Sequence, residues 1–127
     1  MIQANELRIG NYLHYRDKES FLEVVSLGSR FETINERGLL YGSDDIEEYN
    51  PIPLTEEILL KCGFEKTKYN FYIKRYNSKH YLLTNFNKGY TEMCVNKICG
   101  GQAVTKYLHQ LQNLYFALTG EELEIKL

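Results

Sequence analysis

At 127 residues, with 43% hydrophobic side chains, the chain suits one compact domain or two small lobes sharing a core, and it should fold alone. Its net charge of −2 conceals a division: residues 1–60 carry five Lys or Arg against twelve Asp or Glu, whereas residues 64–106 carry eight against two. No segment is long and apolar enough for a membrane span, and Cys62, Cys94 and Cys99 are an odd number at no recognised metal spacing, which disfavours a zinc ribbon and a secreted disulfide scaffold and makes reduced thiols the default.

In chain order, residues 7–15 alternate apolar and polar side chains around Gly10 and Asn11, the pattern of two short strands with a bend that Gly10 permits. Residues 21–27, rich in Val and Leu, predict the next strand. Gly28 and Ser29 then make a tight connection to a strand over 30–35, with Phe31, Thr33 and Asn35 on one side, and residues 39–41 predict another strand. The acidic stretch 43–50 reads as a solvated loop and a last strand over 46–49; it lacks the alternate carboxylates and turn glycine of a calcium loop. Four or five such strands predict a small SH3-like antiparallel barrel over residues 1–52, a scaffold that serves protein-binding, nucleic-acid-binding and structural modules alike.

Pro51 and Pro53 hold the chain extended at the boundary. Thr55 then caps a short helix with Glu56 and Glu57 in its first turn, Ile58, Leu59 and Cys62 on its apolar side and Gly63 as its stop. Residues 64–68, 71–76, 80–85 and 92–98 predict an antiparallel meander, which Gly100 and Gly101 end. The strongest periodicity follows: Val104, Tyr107, Leu108, Leu111, Leu114, Tyr115 and Leu118 recur at the spacing of one helical face, and Gly120 offers a left-handed stop. Residues 122–127 alternate and read as a terminal strand, a seam for a homodimer should it pair with a second copy. The fold class is therefore α+β, the barrel being followed by a C-terminal α-β-β-β-α lobe over residues 53–127.

For chemistry, Lys66, Lys68, Lys74 and Lys79 are interleaved with Tyr72 and Tyr76, the mixture of cations for phosphate and ring faces for bases that single-stranded nucleic acid requires. Alternation puts Tyr72, Lys74 and Tyr76 on one face of their strand and Phe71, Ile73 and Arg75 on the other, so only one aromatic row is free to stack. A solvated Tyr-Lys ladder is the plainer reading. Enzymatic candidates are Cys62, Cys94, Cys99, His14, His80, His109 and the carboxylates; nothing local sets a thiol beside a base, and no cofactor fingerprint is present. Cys94 and Cys99 lie five apart, unlike the two-residue gap of a metal knuckle. His109 falls on a helix flank with Thr105, Gln112 and Phe116, where bridging to backbone or carboxylate is the ordinary role.

Residues 4–11 (ANELRIGN), 51–65 (PIPLTEEILLKCGFE) and 107–123 (YLHQLQNLYFALTGEEL) resemble segments of small uncharacterised proteins of Bacteroidetes bacteria and their phages, with Leu108 where Val is more usual. The resemblance implies a bacterial or phage cytoplasmic setting and carries no catalytic residue. The sequence thus leads to a non-enzymatic interaction module, an accessory or host-takeover factor binding a protein through exposed Tyr and Arg anchors. Single-stranded nucleic-acid binding through the basic meander is the first alternative and a small Cys/His enzyme the second.

Overall fold

The computed structural model describes residues 2, 4–16, 20–27, 31–43, 46–67 and 69–126. The expected turn at Gly28 and Ser29, the acidic pair Asp44 and Asp45, Lys68 and Leu127 lie outside them. Among the described residues the fold is α+β, two antiparallel five-stranded sheets with two α-helices, and the chain divides into the compact units Met1–Ile52 and Pro53–Leu127.

The first unit holds β1 (Tyr12–Tyr15), β2 (Leu22–Leu27), β3 (Phe31–Ile34), β4 (Leu40–Ser43) and β5 (Tyr49–Asn50), in the order β4-β3-β2-β1-β5. Period-two alternation turns Leu22 and Val24 inward beside Leu13, and Ile2, Leu7 and Tyr49 complete the core. Tyr49 is its largest member: Tyr15 and Phe31 meet its ring edge-on at 5.3 and 4.8 Å, and its hydroxyl lies 3.1 Å from the buried Thr33 hydroxyl. Burial raises the Tyr49 phenol above its ordinary value, with the Thr33 hydrogen bond pulling the other way. Three expectations change here. Residues 8–11 form a tight turn rather than a strand, because the Asn11 side chain accepts the Arg8 N–H at 2.8 Å and Gly10 takes a φ of 99°. Residues 46–48 form a single 3-10 turn, leaving only Tyr49 and Asn50 to pair with β1. Phe21 and Asn35 stay outside the strands expected to include them, and Arg30, the expected start of the third strand, lies outside the described residues.

The second unit opens with α1 (Glu56–Lys61), where Thr55 accepts the Ile58 N–H at 3.2 Å. It continues through β6 (Glu65–Lys66), β7 (Tyr72–Arg75), β8 (His80–Asn85), β9 (Tyr90–Val95) and β10 (Ile98–Val104), and ends with α2 (Leu108–Thr119). The lobe is thus α-β-β-β-β-β-α. The strand expected over 92–98 stops at Val95, because Asn96 adopts a left-handed φ of 57° and turns the chain back; Gly100 and Gly101, expected to end the sheet, lie inside the next strand. Gly101 sits at a bulge between Gly100 and Gln102 with a φ of 82°, where an added Cβ would meet the Met93 methyl at 3.0 Å. Gln110 Oε1 accepts the N–H groups of Lys106 and Tyr107 and starts α2, and Gly120, at φ 74°, stops it.

The buried face of α2 is Leu108, His109, Leu111, Gln112 and Tyr115. Val104 belongs to β10, and Leu118 is 39% exposed, so the ends of the expected stripe lie outside the core. Residues 122–126 form no strand; Leu123 is buried and the Lys126 N–H donates to the Lys61 carbonyl at 2.9 Å.

The hydroxyl pair in the first core gives a measurable coupling. Thr33→Val and Tyr49→Phe should each cost about 1–2 kcal/mol in urea unfolding, and the double variant scarcely more than either, since one shared bond is lost. Strictly additive losses would show that the two hydroxyls do not bond.

Candidate interaction site on the second sheet

The ladder register sorts the second sheet into two faces. Tyr72, Thr84, Thr91 and Ala103 align across one of them, with Lys74, Leu82 and Met93 in the next row. α2 lies on this face: Lys74 Nζ is 5.8 Å from the Tyr115 ring centroid, and Tyr76 meets that ring edge-on at 6.2 Å. Beneath the helix the hydroxyls of Thr84, Thr91 and Thr105 form a buried chain at 2.9 and 2.7 Å, which satisfies polar groups that burial would otherwise penalise. His109 and Gln112, set by periodicity on a flank of the helix, are also buried. The His109 ring stacks on Tyr107 at 6.1 Å.

The residues expected to grip a nucleic acid do not form one exposed row. Tyr72 is 2% exposed, with its ring against Phe86 at 5.6 Å. Lys74 lies over Tyr115, and Tyr76 packs between Tyr115 and the stacked ring of His80 at 5.8 Å. Lys66 Nζ is 3.9 Å from Glu56, Lys79 occupies the turn between β7 and β8, and Lys68 lies outside the described residues. Tyr72, Lys74 and Tyr76 share a face, as alternation requires, and it is the face on which Tyr115 of α2 packs.

On the opposite face, Ile73, Leu83, Glu92 and Gln102 form one row and Arg75, Tyr81, Cys94 and Cys99 the next. The Arg75 guanidinium lies 5.1 Å from the Tyr81 ring centroid, the Tyr81 hydroxyl lies 3.8 Å from Cys99 Sγ, and Gln102 Nε2 donates to Glu92 Oε1 at 3.4 Å. Cys94 and Cys99 are joined by a disulfide, which corrects the expectation of three reduced thiols. The turn at Asn96 and Lys97 sets residues five apart directly opposite each other, their Cα atoms 4.0 Å apart, the short distance of a pair that exchanges no backbone hydrogen bonds. A linear spacing rule misses this, because the ladder and not the sequence interval creates the proximity. The bridge closes so short a loop that its entropic stabilisation is on the order of 2 kcal/mol, the low end for disulfides.

β10 is the terminal strand of this sheet. It has seven residues with no charge and no proline, and all but Ala103 are exposed, Ile98 at 78% and Val104 at 61%. At the close Cys94/Cys99 pair, the N–H and C=O of Cys99 point away from β9 to the outer edge. β4 ends the first sheet with exposed Leu40 and Tyr41, but it is four residues long and offers fewer main-chain groups. A cleft of about 260 Å³ elsewhere in the second unit is lined by Leu60, Lys61, Cys62, Lys74, Glu124 and Lys126 among others, with Lys61 already 3.3 Å from Glu57.

Cys62 is the free thiol among the described residues; it is 1% exposed, and burial pushes its pKa up to about 12 against the weaker opposing pull of Lys74. A thiol held protonated at neutral pH is a poor nucleophile. The folded chain keeps a proton that the unfolded chain releases above its ordinary value of 9.0, so the associated stabilisation is complete below that pH and is lost as pH rises towards about 12. Cys62→Ala should flatten this fall relative to the parent chain in unfolding curves taken across the window. Alkylation of native Cys62 at pH 8 should be slower than in the unfolded chain by on the order of a hundredfold or more; equal rates would show that burial does not protect it. No protein-family model, curated protein or solved structure matches this chain.

Proposed function

We propose that this protein is a non-enzymatic interaction module of the cytoplasm. Its N-terminal unit is an SH3-like scaffold, and its second unit binds an extended segment of a protein partner along β10. One observation carries the reading: an uncharged, exposed, seven-residue strand at the end of its sheet, with the outward-facing N–H and C=O of Cys99. Natural sheets blunt such edges with charges, proline, bulges or cover, since an open ladder recruits any strand that reaches it, and of these β10 carries only the bulge. Here the Gly101 bulge divides the edge without closing it. Strand addition draws affinity from main-chain hydrogen bonds and specificity from alternate side chains, and exposed Ile98 and Val104 supply apolar contacts at the two ends. The resemblance to proteins of Bacteroidetes bacteria and their phages supports an accessory or host-takeover role for the module.

The test begins with capture of the tagged full chain from a Bacteroidetes lysate, with and without nuclease. It then compares the parent chain with Ile98→Lys and Val104→Lys, substitutions at exposed positions that leave the core untouched. The expected result is a nuclease-resistant partner whose affinity falls at least roughly tenfold with either lysine, together with slower amide exchange across 98–104 in the complex. Capture indifferent to both substitutions, or abolished by nuclease, would overturn the reading.

A further inference from the structure

The face opposite α2 carries a second feature that strand addition does not use. Glu92, Cys94 and Cys99 place a carboxylate oxygen and two sulfurs within 4.8 Å of one another. They come from three positions that the ladder fixes: Glu92 and Cys94 two apart on the same face of β9, and Cys99 directly across on β10. Gln102 holds the carboxylate from the facing position, the Tyr81 hydroxyl lies beside Cys99 Sγ, and the Arg75 guanidinium sits over the Tyr81 ring on the same face. We infer that Glu92, Cys94 and Cys99 form a redox-gated site for a thiophilic divalent cation, Zn²⁺ being the type, in which the disulfide is the closed state and the dithiol the binding state.

The opening step balances with a dithiol as reductant. The Cys94–Cys99 S–S bond breaks, each sulfur gains one electron and one proton, and the reductant loses two electrons and two protons as it closes its own disulfide. Zn²⁺ then displaces the two thiol protons to solvent and forms two Zn–S bonds and one Zn–O bond to Glu92. A water completes the tetrahedron, the arrangement of sites with three protein ligands. The sulfurs must separate to roughly 3.8 Å for bonds of about 2.3 Å at a tetrahedral centre. Rotation about the two Cα–Cβ bonds supplies this without moving the paired backbone. Two thiolates and a carboxylate select a soft or borderline ion over Mg²⁺ or Ca²⁺. The short loop suits the role, since breaking the bridge leaves the hairpin held by its own ladder and the core beneath α2 unchanged.

The experiment uses the full chain, reduced with a small dithiol and desalted under nitrogen. Cd²⁺ is titrated while the ultraviolet thiolate-to-metal absorption is recorded, and Zn²⁺ then competes for the site. The reduced chain should take up one Cd²⁺ that Zn²⁺ displaces, and the oxidised chain none. Cys94→Ser and Cys99→Ser should each abolish the absorption. Glu92→Gln should weaken binding by at least the roughly tenfold to hundredfold that follows loss of a group merely supporting a ligand. Cys62→Ser should leave binding unchanged. Far-ultraviolet circular dichroism of each variant separates loss of the site from loss of the fold, and the oxidised parent is a folded control without the dithiol. Binding by the oxidised chain, survival of the absorption in Cys94→Ser, failure of the folded reduced chain to bind, or indifference to Glu92→Gln would each overturn the assignment.

Discussion

The second unit depends on one contact, the burial of a single sheet face beneath α2. Leu82, Leu108 and Leu111 are fully buried, and Tyr115 reaches across to Lys74 and Tyr76. Covering one face in this way assigns every other side chain of the sheet by alternation alone. Tyr72 is committed to the interior and Arg75, Tyr81 and Cys99 to the other side, where Cys94 is nonetheless buried. The functional surfaces of the unit are what remains after the helix has taken its share.

Buried hydroxyls in both units are satisfied by pairing with one another. In the first unit the Tyr49 phenol meets Thr33; in the second, Thr84, Thr91 and Thr105 link three segments of chain. A chain rich in tyrosine avoids a penalty here by placing buried hydroxyls opposite one another, which makes register a condition of stability. The same demand explains why the cores tolerate polar positions that a count of apolar residues would assign to the surface.

Much of the element order was legible from the residues. The Thr55 cap, the strand over residues 80–85 and the Gly120 stop follow from local chemistry that acts wherever those residues occur. What escaped was set by contacts between segments. Asn96 looked like one more strand residue until its left-handed turn laid Cys99 opposite Cys94. Periodicity set Thr105, His109 and Gln112 on a helix flank, but only the packing of the fold makes that flank fully buried. Tyr72 and Lys74 looked like a binding row because alternation separates two faces without saying which one a helix will occupy.

The Gly101 bulge has a consequence for evolution of the edge. Gly100 pairs with Met93 and Gln102 with the adjacent Glu92, so residue 101 is an insertion opposite nothing. A version of the chain shortened by that one glycine would keep every pairing and gain a straight, regular edge. It would also shed the kink that discriminates against casual strand addition, and copies of the molecule could then zip together along their margins. One residue in excess of the ladder thus separates a selective margin from a sticky one.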